Sequence, residues 1–272
     1  MQAWALWFCH VSLKEAPMSD AAGAPLTSHP QVHETLGGKT LFFNDDHVQS
    51  EMRFAAPDAL EFEYTQLMMG FLLWVPDPRT LGMVGLGGGS LAKYCYRYLP
   101  SVRTTVIEIH PGVIALRDAF QIPPDDARLK VVCADAATYL GQTAQRFDVL
   151  LVDGFDAQGL PAALSTPQFY ADCLEALTPQ GVAVFNLHRC DTLFDVVLDR
   201  LRAAFGGALC LVDDSGASNC LAFACKATEA HAGSTRLPLA ALRRPNALDP
   251  RAWRALLPLM QRVMAAAAEA ER

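Results

Sequence analysis

Apolar and polar positions alternate in two different rhythms along the chain. Residues 18–35 mix Ala, Pro, Ser and His without any period and read as a flexible lead-in spanning 1–35. Apolar runs at 39–43 and 48–52 flank the turn formers Asn44-Asp45-Asp46-His47, which predicts a β-hairpin. Pro57-Asp58 opens a helix that carries Leu60, Tyr64, Leu67, Met68, Phe71 and Leu72 at helical spacing and stops before Pro76 and Pro78. From residue 80 short apolar runs alternate with helical periods. Strands are expected at 81–85, 104–108, 129–133, 148–152 and 181–187, and helices at 90–98, 111–120, 135–140, 167–177 and 191–205. Two further strands, 209–212 and 220–224, have no helix between them and should pair antiparallel, with Asp213-Asp214 in their turn. Near-continuous apolar strands imply a mostly parallel sheet covered on both faces: an α/β, doubly wound, seven-stranded fold. Residues 237–270 are rich in Leu, Ala and Arg and predict terminal helices.

Composition narrows the class. With 272 residues, 51% of them apolar, the chain has enough material for one large core, and disorder is excluded for most of it. The units expected are a lead-in at 1–35, the hairpin and helix at 36–78, the alternating domain at 79–230 and a helical segment at 231–272. A net charge of -7 argues against a general nucleic-acid binder, which needs a basic face. No run reaches the roughly 18 apolar residues of a membrane helix. The short apolar stretch at 1–10 lacks a basic leader and a small-residue cleavage site, so a cytoplasmic location is expected. Residues 1–17 read as an extension upstream of the fold. Eight cysteines are present without a Cys-x-x-Cys pair, and Cys95, Cys133, Cys173 and Cys210 sit in apolar periodic segments. Reduced, buried thiols are expected, with no disulfide framework and no metal site.

Candidate chemistry gathers at the carboxyl ends of the strands. Gly85-Leu86-Gly87-Gly88-Gly89-Ser90 directly follows the first strand of the alternating domain and precedes a helix. Glycines there let the backbone turn sharply and approach a ligand, and the helix start offers free N–H groups. Glu108 ends the next strand, where a carboxylate can accept both hydroxyls of a ribose. Asp135 follows the third strand, within reach of an adenine amino group. Each feature alone also fits tight packing; in this order they describe a nucleoside site. The fourth strand ends in Asp153-Gly154-Phe155-Asp156, which places two carboxylates beside that site. An acidic wall holds a cationic amine, and one carboxylate can take its proton. The plainer alternatives are a strand-end acid at 153 and a turn cap at 156. His188 lies either at the pocket mouth or in a simple loop, and His110 reads as a solvent-facing loop residue.

Residues 38–190 resemble the spermidine synthase family of polyamine aminopropyltransferases, built on the class I methyltransferase-like (Rossmann-like) fold. The resemblance rests on the hairpin, Glu61-Phe62-Glu63-Tyr64, the Gly loop, Val106-Ile107-Glu108-Ile109-His110-Pro111, Ala134-Asp135-Ala136, the segment 147–161 and Phe169-Tyr170-Ala171-Asp172-Cys173-Leu174. It implies transfer of an aminopropyl group from decarboxylated S-adenosylmethionine to putrescine, with methylthioadenosine leaving. In that reading Asp153 deprotonates the attacking amine, and Gln49, Tyr64 and Asp156 hold the diamine. Gly85, Gly87, Gly88, Gly89, Glu108, Asp135 and Ala136 hold the donor. The resemblance also implies a small-molecule polyamine substrate and a possible homodimer built on the hairpin and first helix. The rivals on the same fold are an S-adenosylmethionine-dependent methyltransferase and a catalytically silent binding member.

The chain departs from the family in several places. The family loop reads Gly-Gly-Gly-Asp-Gly-Gly, and its acid grips the amino end of the donor and disfavours ordinary S-adenosylmethionine. Here Gly87-Gly88-Gly89-Ser90 carries no acid, which implies a looser choice of donor. Tyr64 is followed by Thr65-Gln66 where relatives keep a Glu, Asp156-Ala157 replaces Asp-Pro, the Gln49–Tyr64 spacing is longer, and Asn186-Leu187 ends strand five, a pairing also found in methyltransferases.

Overall fold

A computed structural model describes residues 29–43, 48–156, 159–206, 209–226, 244, 246 and 248–270. A small antiparallel sheet comes first, made of β1 (Gln31–Glu34), β2 (Gly38–Phe42) and β3 (Val48–Arg53). The expected hairpin is therefore present, with an extra strand on its edge. Residues 31–34, assigned to the lead-in by composition, form β1 because Val32 pairs with Leu41 and their backbone groups satisfy the open side of β2. The turn at 44–47, the extension at 1–17 and the segment 237–243 lie outside the described residues.

Helix α1 (Glu63–Met68) starts later than Pro57. Phe62 is extended at φ -88, ψ 136, and Ala59 N donates to Ala56 O at 3.0 Å, so 57–62 form turns. A 3₁₀ turn (Met69–Leu73) continues α1. There Gly70 lets the chain press onto the sheet: a Cβ would lie 2.8 Å from Phe223 Cζ. The alternating domain follows as β4 (Thr80–Val84), α2 (Ser90–Tyr98), β5 (Arg103–Glu108), α3 (Pro111–Ala115), β6 (Leu129–Cys133), α4 (Ala136–Gln142), β7 (Phe147–Val152), α5 (Pro167–Glu175), β8 (Leu177–His188), α6 (Phe194–Phe205), β9 (Leu209–Asp213) and β10 (Asn219–Cys225). Helix α7 (Pro250–Ala270) closes the chain. The strand order is β6-β5-β4-β7-β8-β10-β9, parallel except for β10, which runs antiparallel to both neighbours. The expected α/β architecture is thus the observed one. His110, rather than being a plain loop residue, caps α3, its Nδ1 accepting Gly112 N at 3.0 Å.

The apolar strand runs are explained by burial on both faces. Leu151, Val184, Leu221 and Phe223 pack under α1, α2 and α7; Leu150, Val152, Phe185 and Ala222 pack under α4, α5 and α6. The strand order reverses between β4 and β7, where Val84 lies opposite Val152. Such a reversal opens a crevice at the carboxyl edge of the sheet.

Candidate functional site

Two strands deliver the site's two halves side by side. Asp153 N donates to Val84 O at 3.0 Å, and Gly85 N donates to Ile107 O at 2.9 Å. Gly85 takes φ +92, and a Cβ on it would stand 2.2 Å from Asp153 O. Only glycine fits this crossing. Gly87 follows with room for a Cβ, which would meet Ser50 Cβ at an ordinary contact distance of 3.9 Å, and Gly89 is the N-cap of α2. At Gly88 a Cβ would meet Ser50 Oγ at 2.5 Å. Ser50 is buried on β3, and its hydroxyl lies 3.3 Å from Ser90 Oγ. The small N-terminal sheet therefore backs the Gly loop. Strand alternation turns half-buried Gln49 to the opposite face of β3 from Ser50.

Glu108 is 7% exposed and braces the loop: Oε2 accepts Leu86 N and Oε1 accepts His110 N, both at 2.8 Å. Burial pushes its carboxyl up, and the backbone donors oppose that shift. The carboxylate has more acceptor sites than these backbone donors fill. Asp135 is the N-cap of α4, its Oδ1 accepting Thr138 N at 2.7 Å, with Ala136 buried as the first helical residue. It stands at a helix start beyond β6, on the same sheet edge as Glu108 and the loop.

Asp153 leaves β7 into a ring of polar groups. Tyr64 OH donates to its Oδ2 at 3.2 Å, and Asn186 Nδ2 donates to its Oδ1 at 2.9 Å. Burial raises the carboxyl above the usual range, against the pull of Asn186, Tyr64 and nearby His188. Desolvation, followed by the adjacent Asp153 charge, drives the Tyr64 phenol well above its ordinary value. The β7–β8 register explains the Asn186 contact, since Val152 lies opposite Phe185 and Asp153 and Asn186 each come one residue later. Two residues on, Phe155 and His188 stack face to face, centroids 3.8 Å apart. That places His188 at the site's edge rather than in an unrelated loop. Asn186 Oδ1 is buried with no hydrogen-bond partner. The sequence pattern does not by itself place Asn186 in the site. Its signal was a lone polar residue in the apolar run 182–187, which must find a partner when buried. Asp156 is exposed at the rim, its backbone bridging to Gly159.

Comparison with known proteins bears on this arrangement. Residues 61–198 match the spermine/spermidine synthase domain. The polyamine aminopropyltransferase of Chromobacterium violaceum is 38% identical over 178 residues, 65% of this chain and 68% of that protein. A probable spermidine synthase from Corynebacterium glutamicum superposes with a TM-score of 0.64 at 21% identity, covering 81% of this chain and 84% of its own. A spermidine synthase in complex with the transition-state analogue AdoDATO gives a TM-score of 0.58 at 21% identity, covering 75% of this chain and 71% of its own. These two structures carry the fold, and the domain match with the 38% relative carries the family. The chain belongs to the spermine/spermidine synthase family of aminopropyltransferases.

Proposed function

We propose that the protein transfers an aminopropyl group from decarboxylated S-adenosylmethionine to a diamine such as putrescine, releasing methylthioadenosine. The observation that carries this reading is the Asp153 carboxylate, set beside the Gly-loop crossing with one neutral donor on each oxygen. The amine nitrogen forms its bond to the carbon beside the sulfonium as the carbon–sulfur bond breaks, and the nitrogen's surplus proton passes to Asp153. A carboxylate whose proton affinity is raised by burial suits that step. Tyr64 fixes the carboxylate from the side of α1, and exposed Asp156 adds negative charge at the rim for the distal ammonium. The resemblance also assigns Gln49 to the acceptor, but β3 turns it to the face opposite Ser50, so it is not counted among the residues around Asp153. For the donor, Gly87 leaves backbone open to approach, Glu108 accepts from the ribose, and Asp135 and Ala136 reach the adenine. The bound AdoDATO of the solved spermidine synthase supports a donor of this class.

The test is direct. Wild-type protein incubated with putrescine and decarboxylated S-adenosylmethionine should yield spermidine and methylthioadenosine, and calorimetry should rank that donor above S-adenosylmethionine. Clear preference for the carboxylated donor would favour the methyltransferase rival. Absence of turnover with any diamine would favour the silent one. Glu108→Ala should weaken methylthioadenosine binding by about 1–3 kcal/mol through lost charged hydrogen bonds. An affinity equal to wild type would remove Glu108 from the donor site.

A further inference from the structure

Helix α7 lies outside the segment matched to the family, and it packs on β9, α1 and the 3₁₀ turn after α1. Its Arg262 forms an ion pair with Glu63, and its second guanidinium nitrogen donates to Asp213 O at 2.6 Å. Glu63 also accepts Ser215 N at 3.1 Å and the Ser215 hydroxyl. Ser215 sits in the β9–β10 turn, so Glu63 is gripped from a hairpin and from the last helix at once. The Ser215 hydroxyl, aided by Arg262 and opposed by partial burial, holds the Glu63 carboxyl below its ordinary range.

Glu63 is the first residue of α1 and Tyr64 the second. This helix has six residues, and no side chain caps its start. A helix that short does not set its own position and takes it from tertiary contacts. Tyr64 must nevertheless place its hydroxyl on Asp153, 89 residues away. We infer that Arg262 and Ser215 are positioning residues that clamp Glu63 so that Tyr64 holds Asp153, which makes the C-terminal helix part of the machinery tuning the base. This rests on Asp153 acting as the base. The Tyr64 bond lowers the Asp153 pKa, so releasing the clamp raises it.

Steady-state kinetics on the full chain test the inference. Arg262→Ala should lower kcat/KM for the amine about tenfold by misplacing Tyr64, leave donor KM unchanged, and move the acid limb of the pH profile to higher pH. Arg262→Lys should recover part of the loss, and Ser215→Ala should move the limb in the same direction. In a Tyr64→Phe background, Arg262→Ala should add nothing, because the bond it acts through is already gone. Additive losses or an unmoved acid limb would reduce Arg262 to a structural ion pair. Carboxyl NMR titration of Asp153 reads the same shift without turnover. A shift present in protein that makes no product would overturn the function and keep the clamp, whereas turnover with no shift would do the reverse.

Discussion

Asp153→Asn should cut turnover about 10²–10⁴-fold, the usual size of a lost proton acceptor, while donor affinity stays at the wild-type level. The substitution is isosteric, and both contacts can form, the one to Tyr64 with its direction reversed. The new carbonyl accepts Asn186 Nδ2, and the new amide donates to the Tyr64 oxygen. The negative charge is lost, and with it the capacity to take a proton. Linkage fixes the accompanying signs. Burial raises the Asp153 pKa in the folded state, so the charged form costs the fold stability at pH values above that pKa, and this cost is absent below the unfolded carboxylate value. The Asn variant carries no such cost, and its midpoint of thermal unfolding at neutral pH should match or exceed the wild type's. Wild-type activity should rise with pH as Asp153 ionises, so its acid limb should lie above the ordinary carboxylate range. Turnover and calorimetry on the purified variant check these points. A loss smaller than about tenfold would mean that another group takes the proton.

Gly85→Ala should destabilise the fold by about 4 kcal/mol, combining backbone strain with an overpacked contact. At φ +92 an L side chain is strained, and its Cβ would come within 2.2 Å of Asp153 O and 3.0 Å of Asp153 C. The neighbouring atoms are backbone, so no rotamer change relieves the clash. The ends of β4 and β7 would have to separate, which moves the loop and Asp153 together. Urea unfolding measures the loss, and Gly206→Ala is the control. Gly206 also has positive φ, at +72, but among the described residues beyond its chain neighbours no atom lies within 4 Å of where its Cβ would be. That variant should lose only about 1–2 kcal/mol of local strain. Equal losses at the two positions would mean that the Gly85 crossing adds nothing beyond its dihedral angle.

The central sheet was legible because its strands are buried on both faces and read as unbroken apolar runs bounded by helical periods. Helix α2 and strand β6 fall where the pattern places them. Strand β1 was not legible: Gln31-Val32-His33-Glu34 carries one apolar residue and exists only because β2 offers an edge. The start of α1 is not legible because Leu60 keeps the helical period while the backbone from Pro57 to Phe62 turns instead. In the site, local motifs marked Gly85, Glu108, Asp135 and Asp153, since each sits at a strand end. Asn186 needed the β7–β8 register, and Arg262 meets Glu63 across 199 residues of sequence, a contact no periodicity encodes.

Ser50 occupies the space that any side chain at position 88 would need. The two positions are therefore interlocked: a side chain can enter at position 88 only if Ser50 on β3 and the neighbouring Phe120 ring both give way. A strand from a different sheet thus limits what this loop can carry, so changing position 88 begins at residue 50 rather than among the glycines.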